Sequence, residues 1–159
     1  MLKLKKLWVS EDIARSIPAS NQELLLFQKI NEVTLPNDLV EYFKSVNGTT
    51  EEYDTRFFQF YSLNQFKNID VELKNWNGLP DYSGIVTTLN DYKKYFVFAD
   101  YSFHMFSYAI RLNNSNEPVK NEVLVICGKE YKMIANSFSE FVELYLDNSI
   151  ELQLNRENR

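Results

Sequence analysis

Residues 122–127 read Glu-Val-Leu-Val-Ile-Cys, apolar at odd and even positions alike. An extended strand sends successive side chains to opposite faces, so Val123 and Val125 point one way and Leu124 and Ile126 the other. Such a strand must be covered on both sides, which places a sheet inside the fold with material packed on each face. Gly128 and Lys129 follow as a two-residue hairpin of the Gly-X kind, leading into a second strand over 130–135.

The segments before this pair are helical at first and then switch period. Ser10, Glu11 and Asp12 suggest the start of a helix running to Ile17 and stopped by Pro18. Ser20 and Glu23 form a capping box, and Leu24, Leu25, Phe27 and Ile30 give the helix behind it an apolar stripe. A shorter helix over 35–48 has both ends written in. Pro36 suits its first position, Leu39, Val40, Phe43 and Val46 line one face, and Asn47 with Gly48 stops it. Phe57, Phe58, Phe60 and Tyr61 then form a β-prone run assigned to the core, with a turn of helix expected over 63–69. Short strands are expected at 85–89, 95–99 and 105–112, the last alternating Phe106, Tyr108 and Ile110 on one face. Loops are expected at 77–80 and 113–118. Ser137 and Glu140 offer a second capping box for a closing helix whose stripe is Phe138, Phe141, Val142 and Tyr145. Helices, then antiparallel strands, then a helix make this an α+β chain.

Length allows one domain, placed at 1–150, with a polar C-terminal tail over 151–159 expected to fray. A net charge of −5 opposes nucleic-acid binding, which needs a basic face, and suits a basic partner instead. The single cysteine, Cys127, excludes an internal disulfide and a multi-cysteine metal site. Lys3, Lys5 and Lys6 are followed by no apolar run, so no signal peptide is read, and no membrane span is found. The expectation is a soluble, cytoplasmic protein without cofactor or metal. Abundant Lys and Asn beside few Arg fit an AT-rich bacterial genome.

Three segments carry a resemblance. The Leu35–Pro36, Phe43 and Asn47–Gly48 helix resembles the opening signature of the SMI1/KNR4 family, also called the SUKH superfamily. The run 95–101 followed by 108–112 looks like that family's central strand pair, and 135–141 is similar to its terminal helix, with Ser137-Phe138 and a second Phe at 141. Family members often carry Phe-Gly in the strands where this chain has Phe98-Ala99, which leaves the subfamily open. The resemblance implies a strongly twisted, mainly antiparallel sheet with N-terminal helices and a closing C-terminal helix. It implies non-catalytic protein binding. Bacterial members are typically immunity proteins that neutralise a cognate toxin, often a nuclease, of a polymorphic or contact-dependent system; fungal members are regulatory. A regulatory adaptor or scaffold without a toxin is thus the alternative. The partner, a basic protein toxin, follows from the resemblance and from charge; oligomeric state is left open.

No catalytic set stands out. His104 is the only histidine, with Asp100, Ser102 and Ser107 nearby, but no nucleophile elbow is present and neighbours on a strand end need not converge. Partner-binding candidates are eight. Glu51, Glu52 and Asp54 form an acidic loop, read as solvated charge or as a contact for a basic partner. Trp76, Asp81 and Tyr82 flank a loop, either as interface anchors or as clamps on their own domain. Asp100 and its neighbour Tyr101 end an aromatic strand, where the acid is hydrogen-bonded to structure or recognises a partner at the mouth of the sheet.

Overall fold

A computed structural model describes residues 1–154. The helices are α1 (Leu2–Ser10), α2 (Asn21–Asn31), α3 (Asn37–Ser45), α4 (Ile69–Glu72), α5 (Ile85–Thr88) and α6 (Phe138–Leu146). The strands are β1 (Phe58–Phe60), β2 (Lys67–Asn68), β3 (Tyr95–Tyr101), β4 (Phe106–Arg111), β5 (Val123–Cys127) and β6 (Glu130–Ala135). They form one antiparallel, open sheet in the order β1-β3-β4-β5-β6, with β2 pairing the other end of β3. The α+β architecture and the closing helix are as expected.

β5 shows why the sheet is a middle layer. Val123 and Val125 enter one core with Phe106, Tyr108 and Ile110 of β4, covered by α1, α2, α3 and α6. Leu124 and Ile126 enter a second core on the reverse face with Ile69, Leu73, Tyr82, Ile85 and Leu89, all from the excursion between β2 and β3. Aromatic rings fill the helical side: Phe98 meets Phe138 and Phe141 edge-on, with centroids 5.2 and 4.8 Å apart.

Local signals held where they were strong. Ser20 Oγ accepts from Glu23 N while the Glu23 carboxylate accepts from Ser20 N, completing the box. Gly128, at φ +60°, makes the two-residue turn between β5 and β6. Ser137 caps α6, although Glu140 reaches Asn136 N rather than Ser137 N. Helix α3 begins one residue after Pro36 and is stopped by Asn47 and Gly48, both at positive φ.

Other expectations are corrected. Ser10 ends a helix instead of starting one. Leu4 and Trp8, one turn apart, bury α1 upstream, and Ser10 Oγ bonds back to Leu7 O. On α2 only Leu24 and Phe27 turn inward; Leu25 and Ile30 face solvent. Residues 63–65 form a turn, and the helix α4 lies beyond it, capped by Asn68. Residues 85–88 are helical, because Tyr82, Ile85 and Leu89 all pack into the reverse-face core at helical spacing. Tertiary burial there overrides the β-preference of Ile-Val-Thr-Thr. Phe57 leaves the core and is exposed at φ +65°. The polar tail is described as far as Leu154. Ile150–Leu152 is a turn of 3₁₀ helix with Leu152 buried, and Tyr108 donates to its carbonyl, so the chain does not fray at 151. Residues 155–159 of that tail lie outside the described residues.

Candidate functional site

The β3–β4 and β5–β6 turns, the start of β1 and the 76–82 loop all gather at one end of the sheet. All eight sequence candidates belong to this end, and they divide by burial. Glu51, Glu52 and Asp81 are exposed. Trp76 and Tyr101 are half-buried, while Asp54, Tyr82 and Asp100 are buried with their polar atoms engaged inside the protein.

Asp54 closes the 49–57 loop. It accepts from Arg56 N and Phe58 N, and the Tyr145 hydroxyl of α6 donates to its second oxygen. Burial pushes its carboxyl up, while the hydrogen bonds from Tyr145, Phe58 and Arg56 pull it down. Arg56 leaves this loop to pair with Glu11 at 3.1 Å and lies over the Tyr145 ring. Asp54 is therefore a structural acid on the helical face, not solvated loop charge.

Asp100 plays the corresponding part on the other face. Tyr53 donates to one oxygen at 2.6 Å, Tyr61 to the other at 3.0 Å, and the His104 amide adds a third bond at 3.1 Å. Burial, reinforced by the Asp100 charge, holds the Tyr53 and Tyr61 hydroxyls far above their ordinary range, so both stay protonated donors. With its proton committed to Asp100, the Tyr61 oxygen accepts from His104 Nε2 at 3.3 Å. His104 Nδ1 stands 3.8 Å from Asp100, beyond hydrogen-bond length. Asp100 and His104 thus do converge, which their sequence proximity alone did not require. Ser107 is directed elsewhere, to the Tyr82 hydroxyl.

A bulge brings this about. Tyr95 and Val97 face the reverse core, and Phe96 and Phe98 face the helices. The register of β3 against β4 shifts between Val97 and Ala99, so Ala99 also faces the helices. Without that extra residue, strict alternation would carry Asp100 into the aromatic helical core. With it, Asp100 meets Tyr61 and His104, while Tyr101 turns to stack on Phe106 and meet Phe58. Nothing in the residue pattern marks the bulge.

The 76–82 loop is clamped onto this node. Trp76 stacks on the His104 imidazole at 4.1 Å and 9°. Gly78 lies against the indole, where a Cβ would come within 2.7–2.9 Å of ring atoms. Tyr82 donates to His104 O at 2.7 Å from the reverse core. Trp76 and Tyr82 are clamps on their own domain.

Ser102, Phe103 and His104 all adopt left-handed backbone, at φ 48°, 55° and 64°. Non-glycine residues in that region cost about 1–2 kcal/mol each. Phe103 projects from this turn 73% exposed, touching the Tyr53 ring at 4.6 Å, and Met105 is exposed beside it. Only the hydrophobicity of Phe103 and Met105 in a short inter-strand turn could have pointed to it.

The end of the sheet is thus an apolar tip with carboxylates around it. Among the described residues Glu51, Glu52 and Asp81 have no ion-pair partner, and Lys129 at the β5–β6 turn is an exposed cation there. No cluster of three or more His, Cys, Asp or Glu among the described residues is placed to hold a metal ion. Nor is any described helix long and apolar enough to cross a membrane. Residues 18–144 match the family model described as SMI1 / KNR4 family (SUKH-1). No curated protein matches the chain.

Proposed function

Because the chain belongs to the SMI1/KNR4 (SUKH-1) family, we propose that it is a non-catalytic protein-binding domain, an immunity protein that neutralises a cognate toxin. SUKH domains are known in general for an immunity role. The single observation that carries the reading for this chain is the sheet end itself. There exposed apolar side chains stand among carboxylates that have no ion-pair partner among the described residues, over a node in which Asp100 is fully hydrogen-bonded. Such a surface suits a basic protein face: the acids steer encounter, and the aromatic area holds the complex. Neutralisation is then stoichiometric occlusion of the toxin's catalytic cleft by this end.

The absence of catalysis is part of the proposal. Asp100 spends both oxygens on Tyr53, Tyr61 and the His104 amide, and Trp76 covers one face of the imidazole. A triad needs an acid bonded to the imidazole, and Asp100, its oxygens engaged elsewhere, stands 3.8 Å from His104 Nδ1. These contacts support a positional role for His104.

The test is co-expression with toxin-like genes adjacent to its own, scored for rescue of growth. Rescue by one of them, with a complex of equal stoichiometry, is the expected result. Failure with every adjacent toxin, or an isolated gene, favours the regulatory adaptor. The association rate should fall as salt rises, because the steering charges are screened over about 8 Å at physiological ionic strength. A salt-independent rate would remove the electrostatic half of the mechanism.

A further inference from the structure

We infer that the turn over 102–105 is a preformed apolar plug, with Phe103 and Met105 entering an apolar recess on a basic protein partner. Asp100, Tyr82 and Trp76 are its positioning residues. The inference rests on the protein-binding reading above and deepens it by naming the contact element and the chemistry of what receives it.

The geometry points to this in two steps. Consecutive left-handed residues other than glycine persist only where their surroundings over-determine them. Here four ties do so: Asp100 accepts from His104 N, Tyr82 donates to His104 O, Trp76 stacks on the imidazole, and Ser102 N donates to Phe57 O at 2.8 Å. These ties turn His104 inward and leave Phe103 outward. In the free protein that arrangement gains little, since it holds strained backbone in order to expose a large apolar ring. The gain comes on binding, where a rigid aromatic that is already in place loses little conformational freedom.

Charge selects the receiver. Tyr53 packs on Phe103 and follows directly after Glu51 and Glu52, which have no ion-pair partner among the described residues. Arg56, the cation in that loop, is held by Glu11. A nucleic-acid backbone or an anionic lipid surface would be repelled by these carboxylates, whereas a basic protein face with an apolar recess satisfies ring and charge together.

The test uses the toxin domain that the rescue experiment identifies, made catalytically inactive and purified. Binding kinetics are measured for the wild type, Phe103→Ala, Phe103→Leu, Tyr82→Phe and the double variant Glu51→Gln/Glu52→Gln. Phe103→Ala should raise the dissociation rate about tenfold or more with an unchanged denaturation midpoint, and Phe103→Leu should recover part of the loss. Tyr82→Phe should speed amide exchange across 102–105 and slow association without altering its salt dependence. The double variant should slow association and flatten its salt dependence, leaving dissociation near wild type. If the wild type binds and Phe103→Ala binds equally well, the plug is wrong and the immunity reading stands. A loss of affinity that tracks a fall in the denaturation midpoint of Phe103→Ala also overturns it. If the wild type neutralises no toxin, both readings fall.

Discussion

The two faces of the sheet are covered by different means. On one, four helices from both ends of the chain pack an almost wholly aromatic and aliphatic core, with Asp54 and its partners at its margin. On the other, one excursion with two helices of four residues each closes over a smaller core and finishes in the Asp100, Tyr61, His104 and Trp76 node. The first face is held by burial, which tolerates small shifts. The second ends in hydrogen bonds and ring stacking, which fix where a turn points. A mount that aims a loop needs directional contacts; a core that supplies stability does not.

Breaking the helical face should show the largest effect. Phe141→Ala removes a ring touching Phe60, Phe98 and Tyr108, and should cost about 3–5 kcal/mol in denaturant unfolding. Gly78→Ala comes next. Its Cβ collides with the Trp76 indole, and a cost of about 1–3 kcal/mol is expected together with altered Trp fluorescence as the indole leaves His104. Asp100→Asn leaves a buried amide facing hydroxyl donors and should also cost about 1–3 kcal/mol. Its larger signature would be faster amide exchange over 102–105. Unchanged exchange there would break the distinction between a core and a mount.

The pH dependence bears on both faces, because a buried acid on one side of the sheet and a half-buried one on the other move the same way. Burial raises Asp54, and it raises Glu72 in α4, where the His104 and Lys67 charges oppose it. A folded pKa above the unfolded one means the folded state binds more protons. That contribution is fullest below the unfolded carboxyl value, about 4, and is lost as pH rises through the raised folded value. Thermal midpoints followed upward from about pH 4 should therefore show a decline that Asp54→Asn flattens. A decline identical in the variant would place its origin elsewhere, with Glu72 the first alternative. The smallest effect on stability belongs to the exposed acids. Glu51→Gln and Glu52→Gln should each stay within about 0.5 kcal/mol of wild type.

Much of the helical face was legible because its signals are local. Ser20 and Glu23 lie three residues apart, and the α6 stripe of Phe138, Phe141, Val142 and Tyr145 repeats within three turns. The reverse face carries weaker local signals. Residues 85–88 looked like a strand, and the 63–69 turn was misplaced, because short elements there take their conformation from what they bury. At the candidate site all eight residues lie at one end of the sheet. Their division into surface and interior was not readable, since Asp54 is buried by Tyr145, ninety-one positions away, and Asp100 by Tyr53 and Tyr61, forty-seven and thirty-nine away.

By itself the sequence determined that a two-faced strand lies at the centre, that a Gly128 turn follows it, and that capped helices flank the sheet. Those features depend on a few neighbouring residues, whose preferences act before any distant contact forms. Tertiary structure alone decided that an extra residue in β3 would swing Asp100 away from the helices and onto His104. Which face an acid reaches depends on strand register. Register is set by the summed packing of both cores, which no stretch of neighbouring residues contains.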